Sequence, residues 1–461
     1  MSSITGEVET GTVPRSRGAW LSDSLWLWTR VSIAGIGGPA LQIATMHRLL
    51  VKGKRWISED RFFHAFSYCI ALPGPETQQL AVYVGWLAHR MIGGMIAGGL
   101  FILPGAICMM ALSVGYVTGA ESQLGQAIFG GVRPAILAIM AQAIIRFGRH
   151  VLYGRWMIAV ATLAFAAAFL KIAFPIVIVA AALTGICAGW AGLHVERGTA
   201  WRIDDGTAAS HRDELPDHTR PSAAQFVRSL ALWLALWLTP VIALVALCGM
   251  GSIYTQIAVL FSRVALMAVG GDYAVIAYAA QQVVDSYHWL SAREMQEGVA
   301  MGEMVPGTIM IVTQFLGFMA AYRDPGQLPP MIAGAFGGLL ATWVTLAPCF
   351  LWILVIAPFI EGLRSNRLLN STLYAVTAAA VGMILNLSVW FGIRTLFHSV
   401  DAVQYGWLSF DMPVFSSFDP WALVLSVAAA VALFRFRLGA IVTLFGSSAV
   451  GVVLSLLGLM G

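Results

Sequence analysis

"ALPGPETQQLAVYVGW" (Ala71 to Trp86) sets two prolines, a glycine and a glutamate in the middle of an apolar run long enough to cross a membrane. The chain around it is 59% hydrophobic and 11% charged, with a mean hydropathy of +0.79, whereas about a quarter of the residues in soluble domains are charged. Apolar stretches of about 18 residues or more, the length a helix needs to cross the hydrocarbon core, recur from Leu25 to Leu193 and from Phe226 to Met460. The expected class is an all-α polytopic integral membrane protein. A net charge of +4, carried in short loops, reports membrane orientation rather than a nucleic-acid partner. The first 20 residues lack the basic region, apolar core and cleavage site of a secretory signal, so residues 1–22 read as a retained polar tail. Cys69, Cys108, Cys187, Cys248 and Cys349 each lie alone in an apolar run, with no CxxC, and read as buried reduced thiols.

The sequence repeats itself. "GIGGPALQIA" (Gly35 to Ala44) has a counterpart in "AVGGDYAVIA" (Ala268 to Ala277), and the same spacing superposes Trp56-Ile57-Ser58 on Trp289-Leu290-Ser291 and Pro73-Gly74 on Pro306-Gly307. A slightly larger spacing, absorbed by the insertion at Arg323 to Pro330, pairs Pro104 with Pro348, Val132 with Val376 and Gly148 with Gly392. The first repeat is assigned to residues 23–193 and the second to 251–461. Residues 194–225, rich in charge and turn formers, form a polar linker, and 226–250 form a connecting helix with no partner in the first half. One unpaired spanning helix turns the second half upside down. The loops agree: "HRLLVKGKRWISEDR" (His47 to Arg61) is basic, whereas its counterpart "QQVVDSYHWLSAREMQE" (Gln281 to Glu297) carries one arginine and several acids, as opposite membrane faces require.

If Arg90, Arg146 to Arg155, the linker, Arg364 with Arg367, and Arg435 with Arg437 are cytoplasmic, the acid-bearing loop His398 to Pro420 falls outside. Phe62 to Trp86 then enters and leaves by one face. Its arms, Phe62 to Leu72 and Thr77 to Trp86, are each about half a bilayer long at roughly 1.5 Å per residue, and Pro-Gly-Pro permits a reversal at the tip. The expected architecture is therefore two inverted-topology repeats with discontinuous or re-entrant helices, broken at Gly-Gly and Pro-Gly. A kinked helix is the alternative for each break. Such backbone is tolerated at membrane depth only where it is buried in protein or lines a polar cavity, and secondary transporters aim broken-helix N-termini at anionic substrate. Proline at the first helical position suits Gly38-Pro39 and Gly74-Pro75, and the amides of Ala40 to Gln42 and Glu76 to Gln78 can bind an oxyanion.

The combination of "GGPALQIA", "RWISEDRFFHAF", "LPGPETQQLAVYVGW" and "FILPG" (Phe101 to Gly105) with "VGGDYAVIAY", "WLSAREMQEG" and "PGTIMIVTQFLGF" (Pro306 to Phe318) resembles the two-domain members of the chromate ion transporter family. The resemblance implies a multi-pass bacterial inner-membrane antiporter that exports chromate and confers resistance, in exchange with protons or another oxyanion such as sulfate. Sulfate or other oxyanion uptake is the alternative cargo reading. A membrane-embedded enzyme is the alternative of another class, and the lone apolar cysteines and missing nucleotide motifs count against it. No cofactor or metal is expected, chromate being cargo, and a homo-oligomer is left open.

Candidate substrate-binding residues are Gly37, Gly38, Pro39, Gln42, Pro73, Gly74, Pro75, Glu76, Gln78, Arg133, Gly270, Gly271, Pro306 and Gly307. Glu76, Asp272 and Glu303 are candidates for proton coupling, since a carboxylate at a membrane break is costly unless paired; Glu76 as a plain helix cap is the alternative. Arg133, in an apolar run, offers forked donors to a tetrahedral oxyanion, with a structural ion pair as its alternative. Asp272 and Glu303 are possible partners for Arg133 and Arg263, while Arg30 reads as an arginine reaching an interface. Gln78 and Gln79 either donate to the anion or bond neighbouring helices. The second half carries Asp272 where the first has Pro39 and Thr308 where it has Pro75, so two equivalent sites are not expected.

Overall fold

In the computed structural model, which describes residues 17–34, 39–54, 56–191, 222–268, 272–359, 367–405 and 408–458, helix gives way at Pro73-Gly74-Pro75 and Pro306-Gly307 but runs on through Pro104, Pro134, Pro240 and Pro348. Helix α1 (Arg17–Ala34) precedes α2 (Pro39–Met46), which loosens into a π-helical turn (His47–Gly53) before α3 (Glu59–Ala71), α4 (Glu76–Gly119), α5 (Gln123–Val151), α6 (Arg155–Phe169) and α7 (Phe174–Trp190). After α8 (Ala223–Cys248) a similar series follows. It comprises α9 (Ile253–Leu266), α10 (Asp272–Ala280) with its own π-helical turn (Gln281–Ser286), α11 (Ala292–Met304), a 3-10 turn (Ile309–Ile311) leading into α12 (Val312–Arg323), α13 (Pro330–Ile356) and α14 (Arg367–Leu396). The chain ends in α15 (Pro420–Phe434) and α16 (Ala440–Leu456). The spacing that superposes Trp56 on Trp289 also superposes both ends of α3 on both ends of α11.

The broken segments fold back on themselves. Within α4, His89 (φ −142°, ψ 33°) and Arg90 (φ 57°, ψ −153°) leave helical geometry, so residues 76–88 and 91–119 are separate rods. They meet at glycines: a Cβ on Gly85 would stand 2.4 Å from the Gly93 carbonyl oxygen. The Trp56 and His89 rings lie 6.0 Å apart, which brings the start of α3 to the end of residues 76–88. In the second half Arg323 closes the equivalent loop, its Nη1 donating to the Trp289 carbonyl (2.5 Å) and its Nη2 to Glu294. Ser291 caps α11 in a capping box with Glu294.

The halves exchange their terminal helices. α6 and α7 pack on α14, α15 and α16 pack on α5, and α5 packs on α14. Small residues permit the close approach, as between membrane helices generally. Ser447 Oγ donates to the Gly131 carbonyl (2.5 Å), Gly185 abuts the backbone of Ser371 and Thr372, and Gly382 abuts the Ala161 carbonyl. Among the described residues, five helices are long and apolar enough to cross a membrane: α4, α5, α8, α13 and α14.

Several local expectations are corrected. Helix α1 begins at Arg17, inside the span read as tail, and α8 begins at Ala223 rather than Phe226, because Ala223, Ala224 and Gln225 favour helix. The rest of the linker, up to residue 221, lies outside the described residues. Within His398 to Pro420 the chain departs from helix as an antiparallel ribbon, β1 (Val400–Tyr405) and β2 (Leu408–Pro413), with Val400 opposite Pro413. Cys69 and Cys349 are buried, but Cys108, Cys187 and Cys248 are exposed on the outside of their helices. Lipid is as apolar as a protein interior, so an apolar run does not by itself bury a residue in protein. Near the first break of the chain, Trp28 is buried and Trp26 exposed, with Arg30 4.8 Å over the Trp26 ring. Trp233 stacks on Phe350 at 5.2 Å.

Candidate functional site

The tips of the two hairpins are glycines held at positive φ, Gly74 at +119° and Gly307 at +98°, in the region where a side chain is strained. Each tip is gripped by the other half of the chain. The Gly74 amide donates to the Ala268 carbonyl (3.0 Å), and a Cβ on Gly74 would stand 2.6 Å from Cys349 Sγ in α13. Conversely, a Cβ on Gly105, in α4, would stand 2.3 Å from the Pro306 carbonyl oxygen. The spacing that pairs Pro104 with Pro348 also pairs Gly105 with Cys349, so the two contacts are counterparts. Side-chain amides bind the tip carbonyls: Gln42 Nε2 donates to Gly307 (2.5 Å) and Gln79 Nε2 to Pro73 (2.6 Å).

Polar side chains collect where the tips meet the spans. Glu76, Thr77, Gln78 and Gln79 are all buried, as is Asp272. Thr308 Oγ1 donates to Asp272 Oδ2 (2.7 Å) and accepts from the Met310 amide (3.1 Å), and the Tyr273 hydroxyl donates to Glu303. Glu76, Asp272 and Glu303 each lie within electrostatic range of Arg146. Among the described residues, both ends of the Gln78 amide, Gln79 Oε1 and Asp272 Oδ1 are buried without a hydrogen-bond partner. Buried polar groups are ordinarily satisfied, so these orphaned donors and acceptors mark a place where a polar ligand or water completes the network.

The structure brings together Gln42, Pro73, Gly74, Pro75, Glu76, Gln78, Asp272, Glu303, Pro306 and Gly307. Gly37, Gly38, Gly270 and Gly271 lie outside the described residues. Pro39 opens α2 at its first helical position, but Pro75 (φ −68°, ψ 116°) is the cap and the helix begins at Glu76. Arg133 is elsewhere. It lies 3.7 Å from Glu297, whose carboxylate also accepts from Tyr116 OH (2.6 Å) and Arg293 Nε (3.0 Å). Arg133 precedes Arg146 on α5 by about 13 residues, or about 20 Å of helix, so the guanidinium within electrostatic range of Asp272 and Glu303 is that of Arg146 and not that of the expected Arg133 or Arg263. Arg263 and Arg30 are exposed.

Arg146, Tyr273, Gly105 and Cys349 also meet at these tips or act on their carboxyls, roles that their sequence surroundings do not announce. Arg146 reads with the basic stretch up to Arg155, although "AQAIIRFG" (Ala141 to Gly148) embeds it in apolar residues. Tyr273 adjoins Asp272, and Gly105 follows the repeated Pro104, so both carried a positional signal. Cys349 carried none until α13 was seen to touch the first hairpin.

Comparison with known proteins adds a family. A family model described as "Chromate transporter" matches residues 22–186 and 255–452. The chain is 29% identical over 353 residues to a chromate transport protein of Pseudomonas aeruginosa, covering 76% of this chain and 75% of that one. It is 26% identical over 378 residues to a chromate transport protein of Cupriavidus metallidurans (80% and 81% covered) and 25% identical over 367 residues to a probable chromate transport protein of Synechococcus elongatus (80% and 83%). No solved structure matches it significantly.

Proposed function

We propose, from the premise that the chain belongs to the chromate transporter family, that it is a secondary carrier moving chromate outward across a bacterial inner membrane. The repeats are inverted in the membrane, each contributing one hairpin, and the oxyanion is held where the tips of Pro73 to Glu76 and Pro306 to Thr308 face each other. The observation that carries the reading is the fully buried Gln78 amide, without a partner at either end among the described residues, beside the start of a helix whose first amides have no intrahelical acceptor. Amide donors of this kind suit an oxyanion and release it readily, since they carry no full charge.

Protons are the proposed coupling ion. Glu76, Asp272 and Glu303 share one cation, and a net negative charge at membrane depth is expensive. Proton uptake by the carboxyls admits a dianion; proton release repels it. The amide donors are asymmetric between the halves, because Gln78 and Gln79 have Ile311 and Val312 as counterparts. One anion site between the halves, rather than one in each, follows from that.

Flux of chromate and sulfate in proteoliposomes, with and without an imposed pH gradient, tests the proposal. Gradient-driven chromate movement that sulfate competes for at best weakly is expected. Sulfate movement with chromate excluded would favour a sulfate carrier, and loss of chromate as a reduced product would favour an enzyme.

A further inference from the structure

Away from the hairpin tips, a second polar site lies where the two halves meet at the ribbon. Asp411, on β2, accepts from Lys171 Nζ (2.7 Å) through Oδ1 and from Arg394 Nη2 (2.7 Å) through Oδ2. Lys171 comes from the α6–α7 connection of the first half and Arg394 from the end of α14 in the second. A cavity of about 70 Å³ lies beside them, lined among others by Lys171, Gln281, Asp285, Asn386, Trp390 and Asp411. One water needs roughly 10–15 Å³ on this measure, so several fit.

Three features set this cluster apart from an ordinary surface salt bridge. Arg394 lies 4.7 Å over the Trp390 ring, and its Nε is buried without a hydrogen-bond partner among the described residues, which leaves a donor of the guanidinium fork unused. Lys171 holds φ at +58°, a conformation in which glycine is the usual residue at a helix end. Asp285 is a second acid within electrostatic range of both Lys171 and Arg394. Burial works to raise the Asp411 carboxyl, but the hydrogen bonds and charges of Lys171 and Arg394 outweigh it and hold it below the usual carboxylate range.

A carboxylate bridged by an ammonium and a guanidinium fills the position in which those cations would hold a tetrahedral dianion. The carboxylate sits on a two-stranded ribbon, an element with little stability of its own. Behind it runs α10, whose nine residues span about 13 Å from Asp272 at the hairpin tips to Ala280 at the cavity wall. We propose that this cavity is a second oxyanion-binding subsite, in which a tetrahedral dianion takes the place of Asp411 between Lys171 and Arg394 on its way to or from the hairpin tips. Asp285 keeps the anion from being trapped there, since the two cations never face it alone. The inference rests on the oxyanion-carrier reading above.

The test uses full-length protein in proteoliposomes, with Cys108, Cys187 and Cys248 replaced by alanine and a reporter cysteine introduced by Val389→Cys or, separately, Asn386→Cys. Alkylation of the reporter by a small charged thiol reagent is followed against sulfate, a tetrahedral dianion that does not oxidise thiols. Sulfate is expected to slow labelling where chloride at equal ionic strength does not. Asp411→Asn and Asp411→Ser should each lower the half-protecting sulfate concentration about tenfold, and Lys171→Gln should raise it by a similar factor. Protection no better than with chloride, an unchanged half-protecting concentration in both Asp411 variants, or reporters that never react would each overturn the subsite. Chromate flux through the parent protein separates the two readings: flux without protection removes only the subsite, and protection without flux removes only the carrier.

Discussion

Glu76 stands buried in the first turn of a helix, where a carboxylate is favourable. A plain helix cap would stand there too, so the role of this side chain is decided by what else faces it. Asp272 lies within range of Glu76, and Arg146 within range of both. If Glu76 couples protons, Glu76→Gln mimics the protonated form: chromate should still bind, while flux in proteoliposomes loses its response to an imposed pH gradient. A cap alone is worth about 0.3–1 kcal/mol, and its loss would leave the gradient response of wild type. Arg146 gives the complementary experiment. Arg146→Gln removes the one guanidinium shared by three carboxyls and should cut chromate flux by roughly the factor of ten that about 1.4 kcal/mol represents, or more, with Arg146→Lys recovering part of it. Equal flux in Arg146→Gln and wild type, at equal expression, would remove Arg146 from the site. Glu76 was legible in the sequence as a carboxylate beside a helix breaker. Arg146 was not, because its position near other arginines reads as loop until α5 is seen to continue to Val151.

At the scale of the element, the hairpin depends on glycine for two different reasons. Gly74 is required by backbone conformation as well as space, since φ is +119° and Cys349 Sγ would be 2.6 Å from a Cβ. Gly74→Leu should therefore abolish flux while membrane insertion, followed by protease protection of the flanking segments, stays near wild type because both arms remain apolar. Gly105 is required by space alone: it is helical, but a Cβ there would meet the Pro306 carbonyl at 2.3 Å, a backbone atom that can yield only by moving the second tip. Gly105→Ala should lower flux more than Gly99→Ala, on the same helix, where nothing lies within 4 Å. Equal flux in the two variants would mean that the tip has room to shift. The Pro-Gly breaks could be read as reversals from residue chemistry, because proline and glycine act locally. The partner of each tip could not, since Gly105 and Cys349 are far in sequence from the tips they touch.

For the molecule as a whole, the opposite charge of equivalent loops argues for inversion, and cysteines placed at Lys54 and His288 should label from opposite sides of the membrane. Both positions are exposed; labelling of both from one side would end the inverted-repeat proposal. The contact of Lys171 with Asp411 adds a constraint, because the α6–α7 connection and the ribbon must share one face, and a cysteine at Asp401 should label from the same side as one at His288. By itself the sequence determined the solvent, the helical class, the recurrence of Gly-Gly, Trp-x-Ser and Pro-Gly, and the family resemblance, since composition and local backbone preference act within a few residues and survive without knowledge of neighbours. Only the tertiary structure decided that each hairpin tip is gripped by the opposite half, that α6 and α7 lie on α14 while α15 and α16 lie on α5, and that Arg146 rather than Arg133 lies within electrostatic range of Glu76, Asp272 and Glu303. Those are choices among surfaces of nearly equal apolarity. In lipid no hydrophobic gain separates them, so close packing at glycine and the pairing of a few buried polar groups select the partner, and both depend on where distant residues arrive in space.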